Sequence, residues 1–294
     1  MDEDGIKKAK EAGKIISEVR EESRKFVKIG SSLSQIADTI ENMLIEKGAA
    51  PAFPACLSIN NMAAHYAPGK DDKSVVPEGA LIKVDIGAHV DGFIADTAYT
   101  IAFRKEDQPL ADASTAALLA AIEQCYTGNT LSNVSAAIES TIKDFGFTPV
   151  SNLTGHGLGH YWLHDEPSVP NVKTNSTYKL KENQLIAIEP FATSGIGRVN
   201  DADSTTIFRI AQAKPVRNPE ARRIMEFAFS VNGLPFAERW IPLDSLFKIR
   251  LAMRELREKE ILYEYPALKE ASGALVSQTE HSILVGDKPL VTTR

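Results

Sequence analysis

Apolar residues recur along this chain with two different periods, and the switch between them marks its elements. Ile6, Ala9, Ile16, Val19 and Val27 recur at helical spacing among Lys and Glu, predicting an amphipathic helix over residues 3–28. A second helix is expected from Ser32 to Lys47. Its stripe is Ile36, Ile40, Met43 and Leu44, Ser32 and Gln35 have capping-box spacing, and Gly48 is a natural stop. The stretch AAPAFPACLSINNMAAHYAPG, with its prolines and paired asparagines, reads as an irregular structured loop. From Ala80 the period shortens to two. ALIKVDIGAHVDGFIADTAYTIAF has β-branched and aromatic residues on both sides of a turn near His89–Gly92, an antiparallel hairpin.

Two more helices are expected near 110–127 and 132–145, each closed by a glycine, Gly128 and Gly146. The glycine-rich TGHGLGHYWLH and the segments NQLIAIEP and STTIFRI then read as strands. Helix–helix–strand–strand thus occurs twice, which suggests an internal duplication. Residues 194–257 break the rhythm. Asn218 and Pro219 open a helix over PEARRIMEFAFSVN, and DSLFKIRLAMRELREKE, capped by Asp244, forms another. Strand character returns in ALVSQTEHSILV. The expected organisation is one domain from 1–193 and 258–294, with a helical insertion at 194–257.

Composition narrows the class of protein. The 294 residues are 43% hydrophobic and 24% charged, as in soluble globular chains. With 33 Lys+Arg against 39 Asp+Glu the net charge is −6, which argues against a nucleic-acid grip. The longest proline-free apolar run, Ala116–Ile122, is far short of the roughly 20 residues of a membrane span. The start, MDEDGIKKAKEAGK, has no signal-peptide core. Cys56 and Cys125 are too few for a disulfide scaffold, so a reducing, cytoplasmic setting is expected.

Acids in apolar strands carry the chemistry. In the hairpin, Asp85 and Asp96 lie opposite one another if the turn centres between Val90 and Asp91. A register shifted toward Gly92 leaves them diagonal on the same face, and an odd register sends one to solvent. Like charges roughly 4.5–5.5 Å apart at Cβ are destabilising, so a facing pair needs a cation or a shared proton. Glu189 follows four apolar residues in LIAIEP, and Glu280 sits within ALVSQTEHSILV with Gln278 on its face. Either glutamate alone fits an exposed edge strand; four acids so placed suggest a shared, cation-filled centre. His156, His160 and His164 have the spacing of a helical zinc site, but Gly155, Gly157 and Gly159 favour an extended strand, so not all three need bind metal. No GxSxG or catalytic cysteine setting occurs. Metal activation of water is the chemistry these residues support, with oxygen ligands and an imidazole suiting Mn, Fe, Co or Zn.

KVDIGAHVDGFIAD, TGHGLGHYWLH, IAIEPFAT and SQTEHSILV together resemble the metal-binding segments of methionine aminopeptidases, in the wider pita-bread family that includes prolidase and creatinase. The resemblance implies an α+β pita-bread fold, with pseudo-twofold helix–helix–strand–strand halves around a curved antiparallel sheet and a helical, winged-helix-like insertion. It implies two divalent ions (Co, Mn, Fe or Zn). Asp96 and Glu280 would bridge them, Asp85 would chelate one, and His156 and Glu189 would bind the other. Glu189 would also handle the proton of the attacking water. His65 corresponds to the histidine near the scissile nitrogen, and His164 to the one that stabilises the carbonyl oxyanion. Phe53, Pro54, Asn60 and Leu163 correspond to methionine-pocket positions. Cys56 stands where a smaller residue is expected.

Glu189 and Glu280 are 91 residues apart (280 − 189), as in type II enzymes, which insert a helical subdomain there. Lacking a long charged N-terminal extension, the chain resembles the short archaeal form. The implied activity is removal of N-terminal methionine ahead of a small second residue, by attack of a metal-bridging water on the first peptide bond. The implied partners are N-termini of nascent polypeptides, with the ribosome a candidate, for a monomer that binds neither nucleic acid nor membrane. Two competing readings are a metal-free binding protein on the same fold, opposed by the full ligand set, and an Xaa-Pro peptidase, opposed by the 91-residue gap.

Overall fold

The computed structural model describes residues 1–294. The first part of the chain forms α1 (Glu3–Ser23), α2 (Leu33–Glu46), β1 (Ala50–Ile59), β2 (Met62–Ala64), β3 (Leu81–Val90) and β4 (Phe93–Ala102). A second helix pair, α3 (Gln108–Ile122) and α4 (Leu131–Asp144), precedes β5 (Thr148–Pro149), β6 (Thr154–Gly159), β7 (Trp162–Pro170), β8 (Leu185–Ile188) and β9 (Phe191–Thr193). Then come β10 (Val199–Ile210), α5 (Pro219–Ser230), β11 (Phe236–Ala237), α6 (Leu246–Glu258) and β12 (Leu262–Glu270). The chain closes with β13 (Val276–Gln278), β14 (Glu280–Leu284) and β15 (Leu290–Val291). None of the helices is long and apolar enough to cross a membrane.

The main antiparallel sheet runs β1-β3-β4-β14-β8-β6-β7, with β15 on β14. α1 and α2 bury Ile16, Val19, Ile36 and Ile40 against Val84, Ile86 and Tyr99 of β3 and β4. α3 and α4 bury Leu118, Val134 and Ile138 against Ile186 and Ile188 of β8 and Ile283 of β14. Each helix pair therefore backs one half of the sheet, in line with the repeated order of elements. At about 1.5–3 kcal/mol per large apolar side chain, these two layers hold the central strands rigidly.

Four expectations need correcting. The first helix stops at Ser23, whose carbonyl accepts from Phe26 and Val27. The proline-rich stretch is not a loop but β1 and β2. β1 pairs with β3, and its prolines fall where the register shifts, between Pro51 and Phe53 and between Phe53 and Cys56. Bulges of this kind tolerate residues without an N–H, and buried pairing overrides the local turn signal. The cap of α6 is Ser245, whose hydroxyl accepts from the Lys248 amide, and not Asp244. Finally, the strand expected at STTIFRI begins earlier, at Val199, so the segment expected as a helical insert holds all of β10, which pairs with β12 across the expected boundary at 258; β12 pairs in turn with β2. The helices α5 and α6 pack on this ribbon through Ile224, Ile249 and Phe208.

Candidate metal centre

The β3–β4 turn decides where the two aspartates go. Val90 pairs with Phe93 around Asp91–Gly92, both at positive φ (48° and 84°), the two-residue turn that suits a right-twisted hairpin. The register is the shifted one: Asp85 faces Ala98 and Asp96 faces Gly87, which leaves the carboxylates diagonal on one face. Glu280 also pairs with Ala98, from the other side of β4. On β8, Ala187 lies between Ser282 and His156, and Glu189 follows two residues later on the same face. Strand alternation alone thus turns Asp85, Asp96, His156, Glu189 and Glu280 toward one point.

Distances confirm the convergence. His156 Nε2 lies 3.8 Å from Asp96 Oδ2 and 3.7 Å from Glu189 Oε1. Ligand atoms of Asp96, His156 and Glu280 all lie within 4.8 Å of one another. Gln278 Nε2 donates to Asp85 Oδ2 at 3.1 Å, Glu189 Oε2 at 3.3 Å and Glu280 Oε2 at 3.4 Å, tying three of the acids together. His156 Nδ1 is 3.0 Å from the Gly157 carbonyl, which can only accept. That places the proton on Nδ1 and leaves the Nε2 lone pair facing the acids.

Burial makes this cluster expensive without a cation. It pushes the Asp85 carboxyl up to about 7, opposed by the Gln278 hydrogen bond. Asp96 is driven well above the carboxylate range by burial, then by Asp85 and Glu189. Glu280 is driven up by burial and then by Asp96, Glu189 and Asp85, and Glu189 by burial and Asp85. Asp85 Oδ1, Asp96 Oδ1 and Glu280 Oε1 are buried with no hydrogen-bond partner. Unpaired buried carboxylate oxygens beside a free imidazole lone pair fit divalent first-row cations.

The cluster forms the floor of a cavity of about 230 Å³ walled by Phe53, Cys56, Leu163, Phe191, Ile207 and Tyr265. Phe53 is seated against Gly87, where a Cβ would come within 2.2 Å of its ring. His164 stands 4.7 Å from His156 between ring centroids and 5.7 Å from Tyr265. Enclosed by protein yet open to the cavity, it is held well below the imidazole range by desolvation and by His156, His65 and Arg209. His65, at φ 61°, leaves β2 and meets Tyr265 edge-on at 5.9 Å, its Nδ1 buried without a partner. Burial lowers its pKa also.

Not every expected position lies here. Pro54 and Asn60 do not line the cavity. The Pro54 carbonyl accepts from the Cys56 thiol at 3.3 Å. Asn60, at φ 53°, clamps the β1–β2 turn: its Oδ1 accepts from the Leu81 amide and its carbonyl from Lys83 Nζ. Among the remaining histidines, His160 Nε2 bonds the Asp91 carbonyl, His89 caps the hairpin turn at Gly92, and His281 faces the opposite side of the sheet toward Arg20 and Thr293. Asn152, Thr154, Phe191, Ile207, Pro235 and Tyr265 were not anticipated as lining residues. Thr154 and Phe191 were accessible to the alternation rule, two residues from His156 and Glu189. The others carry no local signal.

A buried site of carboxylates and one imidazole on an antiparallel α+β scaffold defines a metal-dependent hydrolase, and comparison agrees. The profile of metallopeptidase family M24 matches residues 7–216, and the chain belongs to that family. Within it the chain groups with the methionine aminopeptidases, which are metallo-exopeptidases. It is 43% identical over 277 residues to methionine aminopeptidase of Thermococcus onnurineus (strain NA1), covering 93% of this chain and 94% of that one. Methionine aminopeptidase of Thermotoga maritima superposes with a TM-score of 0.74 at 22% identity, over 100% of this chain and 98% of that chain. A thermophilic Arx1 superposes at 0.85 with 15% identity, over 99% and 91%. These structural likenesses carry the fold alone, the pita-bread fold.

Proposed function

We propose that the protein removes the N-terminal methionine of nascent polypeptides whose second residue is small, by attack of water on the first peptide bond. The observation that carries this reading is the meeting of five side chains of metal-ligating type, three with unpaired oxygens, at the floor of a cavity whose walls are largely apolar. Asp85, Asp96, His156, Glu189 and Glu280 would hold two divalent ions, which when bound supply charge neutralisation, acidify water and polarise the scissile carbonyl.

The chain's own groups account for the remainder. Glu189 has one oxygen beside His156 and the other on Gln278, and would accept the proton of the attacking water. His164, neutral at pH 7, has an N–H to donate to the carbonyl oxygen as negative charge develops there. His65, also neutral and lining the same cavity, would meet the departing amide nitrogen. Phe53, Cys56 and Leu163 enclose a flexible thioether side chain, whose burial contributes roughly 1.5–3 kcal/mol.

The test is to strip the protein with chelator, restore Mn, Co, Fe or Zn one at a time, and follow methionine release from Met-Ala-Ser and Met-Leu-Ser. Release from the first with at least one metal, much slower from the second, is expected. A folded protein that releases none with any metal overturns the reading.

A further inference from the structure

The β10–β12 ribbon continues beyond the catalytic cavity. Ile207 pairs with Tyr265 in the cavity wall, and two residues along the same ladder Arg209 pairs with Tyr263. Alternate residues share a face, so the outer pair lies on the same side of the ribbon as the inner one. It borders a second cavity of about 160 Å³ that shares Leu163, His164, Pro235 and Tyr265 with the first. This alcove therefore opens off the catalytic cavity toward the surface, where Trp162 and Tyr263 are each 49% exposed.

Arg209 is held there without an anion. Its guanidinium carbon lies 5.3 Å from the Trp162 ring centroid and 4.8 Å from that of Tyr263. Its hydrogen-bond partners are neutral: Nη1 makes a 3.4 Å contact to the neighbouring Ile210 carbonyl, and the guanidinium also reaches the Tyr265 hydroxyl. It takes part in no ion pair within the chain. No Asp or Glu lines the alcove, and Arg209 is its only Lys or Arg. Two aromatic faces restrain the side chain, so less rotamer freedom is lost when it binds. Its free N–H donors form the planar fork that suits a carboxylate.

We propose that the alcove is a carboxylate subsite, in which Arg209, restrained by Trp162 and Tyr263, receives an acidic group of the peptide downstream of its second residue. This rests on the reading of the protein as an aminopeptidase. The methionine side chain takes the apolar walls of the inner cavity and a small second residue carries no charge, so the charged group belongs to later residues. The carboxylate can be an acidic side chain or the C-terminus of a short peptide.

Metal-loaded enzyme assayed on C-terminally amidated Met-Ala-Ser-Ser, Met-Ala-Asp-Ser and Met-Ala-Ser-Asp, and on Met-Ala-Ser as free acid and amide, separates the cases. At least one carboxylate-bearing peptide should show kcat/KM roughly five-fold above its neutral counterpart, about 1 kcal/mol at 1.4 kcal/mol per decade. The gain should sit in KM and shrink with added salt. Which pair shows it identifies the source as side chain or terminus. In Arg209→Gln the ratio should fall to one, and in Arg209→Glu the acidic peptide should become the poorer substrate, while circular dichroism reports intact folding. Equal values for every pair in the wild type, or a preference that survives in Arg209→Gln, overturns the subsite. Failure to release methionine from any of the peptides would instead overturn the aminopeptidase reading.

Discussion

The floor and the wall of the catalytic cavity are built on opposite principles. The floor is polar side chains on the central strands of a sheet backed by two helix layers, and almost every strand next to it contributes one group. Its geometry follows from register: one step of slip in β3–β4 would turn an aspartate away from the site. The wall is assembled from side chains of ordinary type on the β10–β12 ribbon, the turn before β11 and the bulged β1. Nothing there is individually unfavourable. The contrast separates a part where electrostatics demands a fixed answer from a part where only shape matters, and substitutions should affect the two unequally.

The largest effect is expected from a single ligand. Asp96→Asn or Glu280→Gln should lower kcat by more than the roughly 10–100-fold that loss of an outer hydrogen-bond partner of a metal ligand causes. Calorimetric titration with Mn or Co should show correspondingly weaker binding. The same variants should melt no lower than the wild type in chelator, because each replaces a buried carboxyl that must take up a proton on folding with an amide that is already neutral. A variant with wild-type turnover, or one that is strongly destabilised without metal, would contradict the electrostatic account of the floor.

This asymmetry also explains what could be read beforehand. Asp85, Asp96, Glu189 and Glu280 were legible because a carboxylate amid Ile and Val is improbable unless something compensates it. The hairpin was legible to its turn, although composition alone allowed more than one register, and the Asp91–Gly92 dihedrals decide between them. Helices α2 and α5 were legible through their caps, Ser32 and Asn218. β1 was not, because Pro51 and Pro54 speak locally for a loop while the pairing that absorbs them lies some 30 residues away in β3. Ile207, Pro235 and Tyr265 were invisible for a related reason: an apolar residue in a strand looks the same whether it faces a core or a cavity.

A milder break is expected in the wall. Leu163 is buried and touches both the catalytic cavity and the alcove. Leu163→Ala should lower kcat/KM for methionine release by roughly ten-fold, the scale of losing a few methylenes from an apolar pocket. Most of the change should appear in KM, since the contact is made equally in ground and transition states. A fall confined to kcat would mean that Leu163 acts through its neighbour His164, and the division between floor and wall would then not hold at this position.

The smallest effect is a slope, and its sign is specific to the floor. In the metal-free protein the buried carboxyls bind protons that the unfolded chain has released, so their contribution to stability is lost as pH rises from near 3.8 through about 7 for Asp85, and further up for Asp96, Glu189 and Glu280. The imidazoles act oppositely. His156, lowered to about 4, and His281, lowered to about 3, gain stability as pH rises toward 6.5. The two sets therefore offset one another below that value, and above it the imidazoles no longer contribute. Burial holds the Lys83 ammonium well below its usual range, so its contribution has the opposite sign to that of the carboxyls, but it is one group against several. In chelator the melting temperature should accordingly fall between pH 7 and 8.5, by roughly 2 °C or more per pH unit, and Asp96→Asn should flatten the slope. With metal restored the fall should vanish or reverse, because bound cations keep the carboxylates ionised and bind more tightly as competing protons leave. Parallel melting curves with and without metal across that window would mean that the floor carries no excess of buried negative charge.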